Sequence, residues 1–451
     1  MEIRPAKELQ GSVSLPPSSD LFFLSIIMAL AAKVAARISP LNDIPLVSWW
    51  EKTLAGHVSF TCDSGSCTVE PKEGASSPIT LSNDDLRPYR DFIVFCLLGL
   101  KKTLIIDPLP QKRYDAWSMI ASECGCTLQT ADQGGARLIS LTGEDHFRVR
   151  DTLKTADMIH PLLGLALGLG KQAAITTDTV FSSPLRHIVP AFGYDFSLTN
   201  NLRDSTENPL IRRMRFIQLG KKSEGPLVYT VKADFSKRRD ASVGAPVEIT
   251  VPGDDVLCSI LVAAKCVVPR GSLIIENAGM ESWNTQSLSL VKKMGGAVAL
   301  QETGVTSFGS VGTVSLQKLG LSGRKVDCDP LFSFVHQLPA MMVIAAYAQG
   351  QSVFRGLADL RNDEPDGIGL LLSLARSAGI RHGEMPDGIV IDGGRQYDGF
   401  DLSDQLPAPL AAAGAAAALH CMGKSMINDE AIARRWPRFS EMVRSLCVFR
   451  E

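Results

Sequence analysis

The sequence lacks an excess of charge of either sign. It has 46 lysines and arginines against 48 aspartates and glutamates, which gives a formal net charge of −2 at pH 7. Proteins that bind nucleic acid need a basic field over part of their surface, because phosphate contacts dominate the affinity. We therefore expect no nucleic acid among the partners.

Long hydrophobic runs are also missing. The longest apolar stretch, Leu21–Ala32, covers about 12 residues, whereas a membrane-spanning helix needs about 20. The first residues, MEIRPAKELQG, do not contain the apolar core of a signal peptide. These features predict a cytoplasmic protein that makes no contact with a membrane.

The ten cysteines do not have the spacing of a metal site. Neither Cys62 and Cys67 nor Cys124 and Cys126 has a second pair at a zinc-ligand distance along the chain. We expect reduced thiols in the core or on the surface, as is typical of cytoplasmic proteins, and no metal.

Length and apolar residues are abundant. The chain has 451 residues, of which 45% are hydrophobic and 21% are charged. This composition is typical of a soluble globular protein, and the length exceeds what one ordinary core accommodates. The sequence therefore predicts two domains of about 200 residues each.

A pattern recurs along the chain: a turn, an apolar helix rich in Leu and Ala, a strand, a second helix and further strands. It starts six times, with PPSSDLFFLSIIMALAA, NDDLRPYRDFIVFCLLGL, LKTADMIHPLLGLALGLG, PGDDVLCSILVAAKCV, FSFVHQLPAMMVIAAYAQG and DLSDQLPAPLAAAGAAAALHC. The strongly apolar helices are predicted to be buried, and to start near Leu21, Arg90, Ile159, Val256, Leu338 and Pro409. Six units are few for an open solenoid, so we predict two closed groups of three, with a crossover in the charged stretch 232–246.

The motifs in these units resemble those of the enolpyruvyl transferase family, and the 5-enolpyruvylshikimate-3-phosphate synthase (3-phosphoshikimate 1-carboxyvinyltransferase) branch is the more similar one. The resemblance rests on IDPLPQKRYDAWSMIASECGC, ITVPGDDVLCSILVAAKCVVPRGSLIIENAG, LPAMMVIAAYAQGQSVFRGLADLRNDEPDGIGLLLSLARSAGI, DGIVIDGG and RRWPRF, in the family's order. It implies an α/β fold of two domains, each with three βαβαββ repeats in an inside-out α/β barrel. One domain would cover 16–246 and the other 1–15 and 247–451, with the active-site cleft between them.

The resemblance also implies the chemistry. In this family a carboxyvinyl group moves from phosphoenolpyruvate to a hydroxyl, which requires a base for the hydroxyl, an acid for the methylene carbon and cations for the anionic groups. The partners would be small anionic substrates, namely phosphoenolpyruvate and a hydroxyl acceptor. No cofactor is implied, and a monomer is expected.

Two groups of residues occupy the family's functional positions. In the first group, Arg113 matches the arginine that binds phosphoenolpyruvate, Glu364 the acid and Arg434 the late lysine, while His336 takes the place of the aspartate base. The second group would contribute to substrate binding; it consists of Arg87 (with Arg90 as the alternative at that position), Thr155, Ser182 and Ser19.

Several cations of the family are absent. LPPSSDLFFL stands where the family has Leu-Pro-Gly-Ser-Lys-Ser-x-Ser-x-Arg, so Ser19 replaces the lysine, Asp20 the serine and Leu24 the arginine. Gly367 and Leu406 replace two further arginines. A helix start of this shape favours anions, but here it lacks the cations. We therefore expect shikimate-3-phosphate to bind weakly, with a dissociation constant above about 1 mM.

Each matched residue also has an ordinary structural interpretation. Arg113 fits the first turn of a surface helix, His336 a buried or capping histidine, and Arg434 a solvated charge beside Arg435. Asp254 is predicted to cap a helix. Three functions consequently stay open: a divergent carboxyvinyl transferase, a homologue with a different reaction or acceptor, and a non-catalytic binding or partner protein.

Overall fold

The structure is a computed structural model. It describes residues 1–41, 47–72, 74, 77–82, 89–133, 136–149, 156–177, 182–200, 229–239, 245–317, 320–328, 333–362 and 366–449.

Helices and strands alternate along the chain. The helices are α1 (Ser19–Ala32), α2 (Val47–Leu54), α3 (Arg90–Lys101), α4 (Gln111–Glu123), α5 (Ala156–Leu169), α6 (Leu185–Ala191), α7 (Asp255–Val267), α8 (Gln286–Lys293), α9 (Ser333–Tyr347), α10 (Gly367–Ser377), α11 (Ala408–Ala418), α12 (Glu430–Arg435) and α13 (Phe439–Leu446). The strands are β1 (Glu2–Ile3), β2 (Ala6–Leu9), β3 (Gly11–Ser14), β4 (Ala36–Ser39), β5 (Val58–Cys62), β6 (Cys67–Pro71), β7 (Ile79–Ser82), β8 (Thr103–Asp107), β9 (Thr127–Gln133), β10 (Ala136–Thr142), β11 (Gln172–Thr177), β12 (Asp195–Asn200), β13 (Tyr229–Asp234), β14 (Val247–Thr250), β15 (Leu273–Gly279), β16 (Val298–Thr306), β17 (Gly309–Leu316), β18 (Lys325–Asp327), β19 (Gly350–Arg355), β20 (Arg381–Met385), β21 (Gly388–Gly393), β22 (Asp401–Leu402), β23 (Ser425–Ile427) and β24 (Cys447–Phe449).

The second unit shows the repeat in full. Its elements follow the chain as β7, α3, β8, α4, β9 and β10, and its sheet has the order β7-β8-β10-β9. Strands β7 and β8 are parallel and need a helical crossover, whereas β10 is antiparallel to both β8 and β9. The fifth unit has the corresponding sheet β18-β19-β21-β20. The predicted βαβαββ repeat is therefore present.

Two units exchange their first strands. Strand β3 precedes α1 along the chain but pairs in parallel with β15, whereas β14 precedes α7 but pairs in parallel with β4. These pairings complete the sheets β16-β17-β15-β3 and β14-β4-β6-β5. The chain thus crosses twice between two groups of sheets, before α1 and before α7.

Buried apolar side chains form two clusters. The N-terminal cluster runs from Leu21 to Val251 and also includes Trp283 and Phe308. The C-terminal cluster contains residues from Ile3 to Leu15 and from Val256 to Leu446. We call the elements around them the N-terminal half and the C-terminal half. These clusters support the proposed two domains, although β14 lies with the N-terminal half and a boundary drawn by packing falls after residue 250.

The strongly apolar helices lie inside each half. α1 and α7 are buried on nearly every face, and strands β4 and β6 pack against α1 while β15 packs against α7. Helices inside and strands outside are the arrangement that the sequence predicts. The predicted starts agree with the structure to within a few residues; the largest difference is at Leu338, because α9 begins at Ser333.

Glycines allow α3 and α5 to touch. A Cβ atom added to Gly164 would lie 2.3 Å from the Phe92 carbonyl oxygen, and one added to Gly168 would lie 2.2 Å from that of Cys96. Neither position has space for a side chain, so the two backbones approach each other directly. This contact fixes the first turn of α3, which carries part of the site described below.

One expectation about the cysteines is wrong. Cys62 and Cys67 form a disulfide at the end of the β5–β6 hairpin, where they are opposite each other across the two strands. The strand register brings both thiols together, and the spacing of the two cysteines along the chain does not by itself reveal this pairing. Cys124 and Cys126 are free and buried, as expected.

Candidate active site

The start of α1 faces the C-terminal half. The Ser18 side chain caps this helix by accepting from the Leu21 amide at 3.4 Å, while Ser19 and Leu24 are buried in the N-terminal half. Asp20, in the first turn, has a side chain that is 12% exposed. It accepts a hydrogen bond of 2.5 Å from Arg435 of the C-terminal half. The cation that the local sequence lacks is therefore supplied by the other half of the chain.

Arg435 joins the starts of two helices. Its guanidinium lies 3.7 Å from Asp254, the cap of α7, and 4.9 Å from the centre of the Trp436 ring. The Trp436 indole N–H donates to the same Asp254 carboxylate at 3.2 Å. Asp254 also accepts from the Leu257 amide at 2.9 Å, so its predicted role as a helix cap is confirmed. Two carboxylates thus share one arginine at this position.

A third carboxylate, Asp255, is buried beside this pair. Burial and the neighbouring charges of Asp254 and Asp20 raise its pKa to about 8, against a smaller opposite effect of Arg435. Burial likewise raises the pKa of Asp20 to about 6, although the Arg435 charge opposes this shift. The amide of Gln337 in α9 donates to Asp255 at 3.1 Å. Asp255 is therefore largely protonated at neutral pH.

Arg113 lies in a second group of charges at the first turns of α3 and α4. It is buried, and its Nη1 lies 3.8 Å from Asp91. Asp91 accepts from Arg90 at 3.0 Å and from the indole N–H of Trp117 at 2.9 Å. Burial on its own would raise the pKa of Asp91, but the two arginines and these hydrogen bonds outweigh it, so that the pKa is lowered.

Arg113 also reaches the C-terminal half. Its Nη1 lies 3.4 Å from both carboxylate oxygens of Asp359, and its Nη2 lies 3.4 Å from the Asp359 carbonyl oxygen. Asp359 belongs to the 3-10 turn Ala358–Asn362 and has a side chain that is 34% exposed. The surface-helix interpretation of Arg113 is thereby excluded, because this residue is at the contact between the halves.

Two further contacts join the halves near these charges. The hydroxyls of Ser182 and Ser282 share a short hydrogen bond. His187 lies 3.5 Å from Glu281, two residues before Trp283, which packs in the N-terminal cluster. Ser182, a predicted substrate-binding residue, thus contacts the C-terminal half, as Arg113 does.

Histidines on two inner helices are buried nearby. His336 is 8% exposed in α9, next to Gln337, which accepts from the Ser287 amide and donates to Asp255. In α5, His160 contacts the hydroxyl of Ser183 at 2.9 Å, and burial lowers its pKa to about 4. His336 is therefore buried, as its ordinary structural interpretation predicts. Its role as a base stays a prediction.

Arg434 has a different environment from Arg435. Its side chain is 62% exposed and pairs with Glu430 one turn earlier in α12, at 3.1 Å. The structure thus places the solvated charge at Arg434 and the buried one at its neighbour. Three other predicted site residues, Arg87, Thr155 and Glu364, lie outside the described residues. The predicted convergence of Arg113, His336, Glu364 and Arg434 on one pocket consequently stays untested.

Arg435, Asp255 and Asp359 were not among the site residues predicted from the sequence. For Arg435 a signal was present, because the residue lies three positions after Ile432 and shares its buried helix face. Asp255 directly follows Asp254, whose capping role accounts for the acidic pair, and nothing in the local sequence indicated a separate role for Asp255. Asp359 lies within a matched stretch but had no predicted role, and only its partner in the other half draws attention to it.

Two features are absent from the part of the chain that the structure describes. No cluster of three or more His, Cys, Asp or Glu side chains there is placed to hold a metal ion. None of the helices in these ranges has the length and apolar character needed to cross a membrane.

Comparison with known proteins agrees with this architecture. Residues 239–443 match the model of the EPSP synthase (3-phosphoshikimate 1-carboxyvinyltransferase) family. A 3-phosphoshikimate 1-carboxyvinyltransferase of Brevibacillus brevis is 31% identical over 196 residues, which are 43% of this chain and 46% of that protein. One of Crocosphaera subtropica is 27% identical over 200 residues, 44% of each. These sequence matches span less than half the length of the curated relatives.

Similarity of fold extends further than similarity of sequence. An EPSP synthase structure from Acinetobacter baumannii has a TM-score of 0.65 at 17% identity and covers 99% of this chain and 98% of its own. The enolpyruvyl transferase NikO from Streptomyces tendae has a TM-score of 0.63 at 16% identity, and the match covers 100% of this chain and 98% of NikO. The resemblance is therefore confirmed: the described residues have the two-domain enolpyruvyl transferase fold, and residues 239–443 match the EPSP synthase family by sequence.

Proposed function

We propose that this protein is a divergent carboxyvinyl transferase, which moves the carboxyvinyl group of phosphoenolpyruvate to a hydroxyl of a small acceptor. The observation that carries the proposal is Arg113, a buried arginine at the contact between the halves whose outer partner is a partly exposed carboxylate. A guanidinium held in this way suits the carboxylate or phosphate of a small substrate.

The matched residues supply the remaining roles in the proposal. His336 would accept the proton of the acceptor hydroxyl, whose oxygen bonds to C2 of phosphoenolpyruvate, while Glu364 would protonate the methylene carbon. Loss of inorganic phosphate and of one proton then restores the double bond in the product. Arg434, Arg87, Ser182, Thr155 and Ser19 remain proposed binding residues.

The charges around Arg435 support an acceptor without a phosphate group. Asp20 and Asp254 both face this arginine, so its charge is already compensated within the chain. A phosphate ester placed beside them would meet two carboxylates and lose the solvation of its own charge. A neutral polyhydroxyl acceptor avoids both costs.

A direct assay of the reaction tests the proposal. The protein is mixed with phosphoenolpyruvate and a panel of hydroxyl compounds, with and without phosphate esters, and inorganic phosphate and the enol ether product are followed by NMR. We expect phosphate release that depends on an unphosphorylated acceptor and is lost in Arg113→Gln. Absence of product with every acceptor would contradict the proposal.

A second candidate is a non-catalytic binding protein. It is favoured by the observation that Arg113 and Arg435, which lie at the contact between the halves, are each paired with a carboxylate of this chain. The two functions differ in one result, since a binding protein would take up phosphoenolpyruvate without releasing phosphate. A homologue with a different reaction would consume phosphoenolpyruvate and form another product.

The cellular setting is part of the proposal. We infer that the protein acts in the cytoplasm, as a monomer, on small anionic and hydroxyl-bearing substrates. Light scattering at several protein concentrations tests whether the protein is a monomer. The chain has a mass of 48.6 kDa, and a measured mass of twice this value would contradict the proposal.

A further inference from the structure

The guanidinium of Arg113 is fixed from the side of the N-terminal half. Asp91 lies 3.8 Å away and is itself held by Arg90 and by the Trp117 indole. All of these side chains are buried, so the arginine keeps its position independently of what lies on its other side. A preorganised cation of this kind loses little entropy when it binds an anion.

On the side of the C-terminal half, Asp359 holds Arg113 loosely. The contacts between their side-chain atoms measure 3.4 to 3.5 Å, at the long end for a charged hydrogen bond, and the carboxylate is partly exposed. Asp359 also accepts from the Asn362 amide at 2.8 Å, so it has a partner that does not depend on Arg113. The pair of Asp20 and Arg435 is tighter at 2.5 Å, with side chains only 12% and 14% exposed.

This difference separates two kinds of contact. Water reaches the Asp359 carboxylate, which lowers the cost of detaching it from the arginine. Detaching Asp20 would leave a buried charge without its partner, which is far more costly. An incoming anion therefore exchanges with Asp359 much more readily than with Asp20.

We propose that Asp359 is a specificity-determining residue that competes with the anionic group of the ligand for Arg113. The proposal rests on the proposed function only for the identity of the anion, which would be phosphoenolpyruvate. Asp359 and Arg113 lie on opposite halves, so an anion that takes the place of Asp359 also removes one of the contacts that join the halves. The competition lowers the affinity for any anion, and it favours ligands whose carboxylate or phosphate binds both Nη atoms at once.

Binding measurements without turnover test this. Phosphoenolpyruvate is titrated calorimetrically into the wild-type protein and into Asp359→Asn, Arg113→Gln and the double variant, and the series is repeated with inorganic phosphate. We expect Asp359→Asn to bind phosphoenolpyruvate about tenfold more tightly, because its competitor is removed while Asn362 keeps a partner. The gain should vanish in the double variant.

A matched control uses another aspartate of the C-terminal half. Asp392→Asn removes a pair with Arg395 at 3.2 Å, whose side chains are 45% and 42% exposed, and it should leave the affinity unchanged. Equal gains in both variants would assign the effect to net charge and overturn the proposal. Unchanged or weaker binding by Asp359→Asn would overturn it too. Asp359→Ser provides a second removal of the charge, and circular dichroism verifies that each variant is folded.

These results are independent of catalysis. A tenfold gain together with no product from any acceptor would contradict the carboxyvinyl transferase function while supporting the competition at Arg113. Product formation together with an unchanged affinity in Asp359→Asn would support the carboxyvinyl transferase function and contradict the competition at Arg113.

Discussion

Arg435 and Asp20 are 415 positions apart in the chain, yet the Nη2 atom of the arginine lies 2.5 Å from Oδ2 of the aspartate. The two side chains belong to opposite halves, and both are almost fully shielded from water. The resemblance predicts cations from α1 itself at this position. Here Arg435 of the C-terminal half supplies a cation, and Asp20 of α1 supplies its counter-charge. The charge of the arginine is thereby compensated within the chain.

Removal of this arginine should destabilise the protein. Arg435→Gln leaves Asp20 and Asp254 without their cation in a buried setting, so we expect a loss of about 3 kcal/mol in the free energy of unfolding. The neighbouring Arg434→Gln removes only an exposed pair and should cost less than about 0.5 kcal/mol. Urea unfolding of both variants measures this difference, and equal losses would show that Arg435 has no special role.

The buried carboxyl of Asp255 should make stability depend on pH. Its pKa is raised to about 8 in the folded protein, so the folded state binds more protons than the unfolded state. Its contribution is complete below pH 4 and is lost as the pH rises through 8. Near pH 7 this loss amounts to about 1.2 kcal/mol per pH unit, and it falls to about half of that at pH 8.

Asp255→Asn isolates that contribution. Asparagine keeps an oxygen for Gln337 but does not titrate, so stability should change less with pH than in the wild type. His160, whose pKa is lowered by burial from 6.5 to about 4, affects stability mainly between these two pH values, and it does so equally in both proteins because the substitution leaves it in place. Parallel curves of unfolding free energy against pH for the two proteins would contradict the assignment.

The contact between α3 and α5 should tolerate no side chain. Gly168→Ala places a methyl group 2.2 Å from the Cys96 carbonyl oxygen, and we expect a loss of about 2 kcal/mol or more from forced separation of the helices. Gly369→Ala in α10 is the control, because its new methyl group comes no closer than 3.8 Å to a neighbour. That variant should be stabilised by about 0.5 kcal/mol. A similar melting temperature for both variants would argue against close backbone contact.

The sequence predicts much of the fold because hydrophobic periodicity is a local property. The starts of α1, α3, α7 and α11 follow from apolar runs that cannot face water on any side. The exchange of β3 and β14 could not be predicted from periodicity. Each of these strands pairs with a strand more than two hundred residues away, and its own sequence does not indicate that partner. Only the order of the family motifs indicated that the first residues belong with the C-terminal half.

The candidate site was less predictable, for a related reason. Matched positions identified Arg113 and Ser182, which do lie where the halves meet. In the pair Arg434 and Arg435, motif alignment chose the first, although helical spacing from Ile432 turns the second inward. Asp20 looked like a charge without a partner because its partner is in the other half.

The proposed function includes an acceptor without a phosphate group, because carboxylates of this chain already compensate Arg435. A calorimetric titration of the wild-type protein with shikimate-3-phosphate, in the presence of phosphoenolpyruvate, tests it most directly. We predict a dissociation constant above about 1 mM, which corresponds to a binding free energy weaker than about −4 kcal/mol. Micromolar binding would contradict the claim and would show that other cations of the chain hold the phosphate.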